Sequence, residues 1–164
     1  MRKIPTPAEQ RETYLAQLQP HVPEPILAVG FLATAGYTAG MIKDYSIGGS
    51  IGMISPLAGW LFRRKKVANR IEASENLLTA VTASGIYLFS FPMRGEAFVV
   101  SGPPTVWNRA DVRVTAEAPK KLAQRIHVEH RDGRKDEYDI ATGIREWATF
   151  SDAMRDLLLT PVAV

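Results

Sequence analysis

Residues 127–139 read HVEHRDGRKDEYD, and they hold most of the side chains in this chain that could do chemistry. His127-Val-Glu-His130 suggests a metal pair. On a strand, however, positions 127 and 130 point to opposite faces, so the two imidazoles cannot share an ion. Glu129 is the same-face neighbour of His127, which leaves too few ligands. Asp132, Asp136, Glu137 and Asp139 form an acidic group beside the histidines. General acid–base work needs two carboxylates in different environments, one of them partly desolvated. Here the acids interleave with Arg131, Arg134 and Lys135 around an exposed turn, the pattern of cross-strand ion pairs of small individual worth. No Ser–His–Asp set or nucleophile elbow can be assembled. Gly48-Gly49-Ser50-Ile51-Gly52 lacks both the Gly-Lys-Ser/Thr of a phosphate loop and a dinucleotide fingerprint. The chain has no cysteine, which removes thiol nucleophiles, disulfides and cysteine-ligated zinc. The expectation is a protein that is not an enzyme and holds no metal and no cofactor.

A second concentration of chemistry is purely electrostatic. Residues 1–75 carry nine Lys and Arg against six Asp and Glu, whereas residues 76–164 carry eleven of each. The excess is focused at Arg63, Arg64, Lys65, Lys66 and Arg70, directly after the uncharged run YSIGGSIGMISPLAGWLF (45–62). Ile47, Ile51, Ile54, Ala58 and Leu61 recur at helical spacing. Beside them Gly48, Gly52, Ser55 and Gly59 form a stripe of small residues that suits close backbone packing. Three placements satisfy this pattern: a soluble insertion, a segment lying on a membrane surface with Trp60 at the headgroup boundary, and a hairpin through the bilayer. Eight of the eighteen residues 45–62 are Gly, Ser or Pro. The six large aliphatic and Phe side chains together favour a bilayer by only about 3 kcal/mol. The partner expected for Arg63, Arg64, Lys65, Lys66, Arg70 and Trp60 is an anionic membrane surface. Gly48, Gly52 and Gly59 are the candidates for assembly with a protein partner or a second copy. Without aromatic residues interleaved among the cations, nucleic-acid binding by the cluster would be non-specific and salt-dependent.

The elements that must position these groups follow from periodicity and turn signals. Residues 1–20 read as a short helix with a Thr6/Glu9 capping box and Pro7 at its first position. No apolar stretch of signal-peptide length follows the initial basic residues, so a cytoplasmic protein is expected. PILAVGFLAT (25–34) is a first strand. LLTAVT and IYLFSF, linked through Ala83-Ser84-Gly85, are a hairpin, and VWNRADVRVTAEA follows the Gly-Pro-Pro break at 102–104 with Val112, Val114 and Ala116 inward. Asp132-Gly133 is a strong hairpin turn. On its flanks Leu122, Ile126, Val128, Tyr138 and Ile140 share one face, and Arg125, His127, Glu129, Lys135, Glu137 and Asp139 the other. Trp147, Phe150, Met154, Leu157 and Leu158 form one helical stripe, predicting a helix from about Trp147 to Leu159, for which Thr142 and Ser151 are both acceptable caps. Trp107 and Phe89 fall at core positions.

Seven short antiparallel strands and a closing helix resemble the pleckstrin-homology (PH) fold, a bent sandwich or partly open barrel capped by a C-terminal helix. The chain is similar to bacterial PH-like domains of small proteins through Leu78-Thr79-Ala80-Val81-Thr82, Ile86-Tyr87-Leu88-Phe89 and Trp107-Asn108-Arg109, over roughly residues 22–160. The resemblance implies one domain at 21–164, with residues 1–20 as an addition. It also implies that the Gly-rich and basic connection between the first two strands, residues 35–75, is the functional region. In eukaryotic relatives of the fold that connection can carry basic residues for phosphoinositide headgroups, although no specific headgroup motif is present here. The implied role is a binding or adaptor module.

Overall fold

The computed structural model describes residues 5–35, 76–91, 98–100, 102–121, 123–142 and 148–162. Helix α1, Pro7–Leu18, begins as its sequence requires. The Thr6 hydroxyl accepts from Glu9 N–H at 3.2 Å, and the Glu9 carboxylate accepts from Thr6 N–H at 2.8 Å. A 3₁₀ turn at Gln19–His21 ends it, and the Gln19 amide then ties down the proline-rich link by accepting from Ile26 N–H and donating to Glu24 C=O.

Seven strands follow: β1 Ala28–Thr34, β2 Asn76–Val81, β3 Gly85–Ser90, β4 Thr105–Asn108, β5 Val112–Ala116, β6 Ala123–His130 and β7 Lys135–Ala141. They form one open antiparallel sheet in the order β4-β3-β2-β1-β7-β6-β5. Two meanders are thus joined by β1 and β7, which among the described residues pair at Ala33–Asp139 and Thr34–Tyr138. The sheet bends there, because side chains from both meanders share one core. Leu32, Leu77, Val81, Ile86, Leu88 and Trp107 from the first meet Ile126, Val128 and Ile140 from the second. The run 105–116 is cut into β4 and β5 by a 3₁₀ turn at Arg109–Asp111, where the Asn108 side chain accepts from Ala110 N–H.

The two meanders are covered differently, and the sequence reflects it. The outer face of β5–β7 is wet: Arg113, Glu129 and Lys135 stand side by side in register, as do Thr115, His127 and Glu137. The outer face of β1–β3 is buried. Val29, Leu78, Ala80, Tyr87 and Phe89 pack there against Tyr14 and Leu18 of α1. Strands buried on both faces read as continuous apolar runs rather than alternating ones, which is why LLTAVT and IYLFSF are almost wholly apolar.

Helix α2, Asp152–Leu159, fills the bent sheet through Met154 and Leu158. It starts later than the expected Trp147; Trp147 itself, like Leu122, lies outside the described residues. Phe150 is not on the α2 stripe. It packs in the outer cluster against Tyr14 and Phe31, so the chain crosses from the outer to the inner face at Ser151. Ser151 occupies the cap position but does not cap. Its hydroxyl accepts from Phe31 N–H of β1 at 2.9 Å. Thr142 does not cap either, its hydroxyl donating to Lys120 C=O. The close approach needs Gly30, where a Cβ would stand 2.9 Å from both Ser151 and the Met154 sulfur.

Candidate functional site

The residues expected to meet a membrane (Trp60, Arg63, Arg64, Lys65, Lys66 and Arg70) and those expected to serve assembly (Gly48, Gly52 and Gly59) lie outside the described residues. What is described is the margin from which their connection departs. Ala33 at the end of β1 is paired with Asn76 at the start of β2 and with Asp139 of β7. Phe91, just after β3, donates its N–H to Asn76 C=O. The β1–β2 connection, the β3–β4 connection and the start of β7 therefore share one margin of the sheet.

Beyond this margin, the described chemistry centres on the two histidines, which face opposite ways as the strand geometry requires. His127 is on the wet face. Its Nε2 is 3.0 Å from Glu117 Oε1 and its Nδ1 is 3.3 Å from Glu137 Oε1. Carboxylates only accept, so both contacts are hydrogen bonds when the ring carries both protons. The two acids address different nitrogens and do not converge with the ring on one point. Among the described residues no group of three His, Asp or Glu is placed to hold a metal ion.

His130 is on the inner side, 9% exposed, with its ring edge-on to Trp107 at 5.0 Å. Nε2 is 2.8 Å from Asp136 Oδ2, and Arg134 Nη2 stands 3.1 and 3.3 Å from the two ring nitrogens. When Nε2 carries the proton it donates to Asp136, and only Nδ1, the ring nitrogen farther from Arg134 at 3.3 Å, can accept from the guanidinium. His130 and Trp107 form the floor of a cleft of about 470 Å³ between β4 and the β6–β7 turn, walled by Val106, Asp111, Arg131 and Arg134. Among the described residues that line this cleft there is no serine or threonine.

Asp139, expected on the wet face, is only 4% exposed. It accepts from Arg125 Nε at 2.7 Å, and this carboxylate holds the Arg125 guanidinium above its ordinary value. The bend puts Asp139 beside Ala33 of β1, where the sheet closes over it. The pairing of His127 with Glu137 was legible from the Asp132-Gly133 turn, which fixes that register. The Glu117 contact depends on β5, whose register no local turn sets, and the meeting of His130 with Trp107 depends on the bend. No family model matches the chain, and no curated protein is similar to it.

Proposed function

We propose that this chain is a non-enzymatic PH-like binding or adaptor module that associates peripherally with an anionic, cytoplasmic membrane face through its β1–β2 connection. One observation carries the reading. The strand order, with α2 filling the bent sheet, makes the basic segment the connection between the first two strands, leaving from the margin that the β3–β4 connection shares. Among the described residues no helix is long and apolar enough to cross a membrane. The surroundings of His127 and His130 support a non-enzymatic role, since each of these two imidazoles is engaged by carboxylate or guanidinium partners.

Each cation near an anionic surface contributes about 1 kcal/mol, so Arg63, Arg64, Lys65, Lys66 and Arg70 together supply at most about 5 kcal/mol before the ordering of five long side chains is subtracted. Shallow burial of Trp60 and its apolar neighbours adds to this. The test is co-sedimentation with anionic vesicles over a salt series. Binding is expected to weaken as salt shortens the screening length. Replacing the four cations at 63–66 by glutamine is expected to abolish it without moving the thermal midpoint. Wild-type protein that ignores anionic vesicles at low salt overturns the reading. Retention in the pellet through a high-salt wash assigns a bilayer hairpin instead, and a vesicle-blind oligomer dissociated by Gly52→Leu assigns assembly.

A further inference from the structure

We infer that this chain pairs with a second copy of itself through the free edge of β4, independently of the membrane reading. Among the described residues the sheet has two edge strands, β4 and β5. Hydrogen-bond alternation identifies which backbone groups of β4 are already used. Arg109 N–H donates to Ser84 C=O at 2.9 Å, and the register runs on through Asn108–Gly85, Trp107–Ile86, Val106–Tyr87 and Thr105–Leu88. Bonded and unbonded pairs alternate in an antiparallel ladder. Arg109, Trp107 and Thr105 therefore bond to β3, while the N–H and C=O groups of Val106 and Asn108 point away from it. The space beside them is the cleft floored by Trp107 and His130. Val106 itself is a large apolar side chain left 54% exposed.

The two edges are protected unequally. β5 carries exposed Arg113 at its centre, a charge of the kind that discourages strand addition. β4 reads Thr-Val-Trp-Asn, with no charge along it. Pro103 and Pro104 precede it and confine further pairing to this short stretch.

A second copy is the occupant because the patch is complementary to itself. Its rim holds Arg131 and Arg134 together with Asp111 and Asp132, equal numbers of each sign, with Arg131 already 3.4 Å from Asp111 and Arg134 3.4 Å from Asp136 in the same chain. Arg131 is 84% exposed. A strongly acidic or basic partner would meet as many repelling groups as attracting ones. A two-fold axis instead sets a neutral rim of mixed sign against its own copy, where neither side carries an excess of one charge. With the axis at Val106, that residue exchanges both backbone hydrogen bonds with its copy, and Thr105 lies opposite the partner's Trp107. Four residues make a short ladder, so the association is weak and concentration-dependent.

Sedimentation equilibrium from micromolar to millimolar protein is the test. The average mass is expected to rise from 18.1 kDa towards twice that value. Val106→Pro removes an N–H that β3 does not use, and Val106→Lys sets two like charges at the axis. Both are expected to stay at monomer mass over the whole range, with thermal unfolding of dilute samples unchanged. If the proline lowers that midpoint, the lysine variant decides. A wild-type monomer at millimolar concentration overturns the inference, and so does a dimer that Val106→Lys leaves intact.

Discussion

The guanidinium of Arg109 joins three parts of the chain. It donates to Thr82 C=O at 3.0 Å and Ala83 C=O at 3.3 Å in the β2–β3 turn, and to Leu157 C=O at 2.8 Å at the end of α2. Leu157 C=O receives only a long 3.3 Å bond from Thr160 N–H at the helix end and sits at the negative end of the helix dipole, so a cation there adds a second donor and a favourable charge. Arg109→Ala is expected to destabilise by about 1.5–3 kcal/mol in urea unfolding. Arg109→Lys should recover only part of this, because one ammonium cannot span the turn and the helix end as the planar fork does. A loss below about 0.5 kcal/mol for the alanine variant would show that the helix end is held by packing alone. Tyr14 carries a pH prediction. Burial pushes its phenol above the ordinary value, opposed by a hydrogen bond with Gln10. A raised folded value means that the fold prefers the neutral phenol. Its contribution is complete below the unfolded value near pH 10 and is lost as pH climbs through the folded value. The urea midpoint of the wild type should therefore fall faster than that of Tyr14→Phe once the pH passes about 10. Parallel curves would mean that the phenol is solvated. Glu24 has the opposite sign. Hydrogen bonds from Ser84 hold its carboxyl below the ordinary value, so its contribution is present at neutral pH and lost as pH falls through that lowered value.

At the scale of elements, the junction between β1 and α2 determines how the sheet is filled. Among the described residues β1 pairs with β7 at its last two positions, Ala33 and Thr34, and Phe31 N–H lies short of that pairing. The Ser151 hydroxyl accepts from it, and Gly30 makes room for that hydroxyl. Ser151→Ala is expected to cost about 1–3 kcal/mol, the range for a buried donor left without a partner. Gly30→Ala drives a Cβ into Ser151 and Met154, and should shift α2 as well as lower stability. Amide chemical shifts along Asp152–Leu159 check this, and a spectrum unchanged beyond the neighbours of residue 30 would contradict it. This junction was poorly legible in the sequence. Phe150, Met154, Leu157 and Leu158 fit one helical stripe, yet Phe150 serves the outer core and only the later three the inner one. Periodicity records which residues are apolar, not which of two cores receives them. The β6–β7 hairpin is the contrasting case. Asp132-Gly133 fixes its register locally, with Gly133 at a φ of 90°, and Ile126, Val128 and Ile140 then face inward as their spacing predicts.

At the scale of the whole molecule, the sheet has two cores, one inside its bend and one between β1–β3 and α1. The inner core and its closing helix could be read from alternation in β5–β7 and from the stripe on α2. The outer core could not, because α1 offers only Tyr14, Leu15 and Leu18 as a narrow stripe, and the resemblance is to a fold without a leading helix. What the short helix covers is large. Tyr14 stands edge-on to Phe31, Phe91, Phe98 and Phe150, with centroids 5.7 to 6.1 Å apart, and Leu18 is completely buried. Arg11 closes the rim by donating to Phe150 C=O at 3.1 Å. Burying one such large apolar side chain stabilises by about 1.5–3 kcal/mol, and each aromatic pair adds about 0.5–1.5 kcal/mol beyond area. Several of these terms together are comparable with the whole stability of an ordinary domain, about 5–15 kcal/mol. Leu18→Ala is accordingly expected to destabilise by about 2–5 kcal/mol. Deleting residues 1–20 should do more, since it uncovers Val29, Leu78, Ala80 and Phe89 as one apolar face. Such a face is a site of aggregation in a soluble state. The truncated chain is expected to bind a hydrophobic dye and to lose its cooperative thermal transition, or to be recovered only as aggregate. A truncated chain that stays monodisperse and unfolds at the wild-type midpoint would mean that β1–β3 stand without the helix.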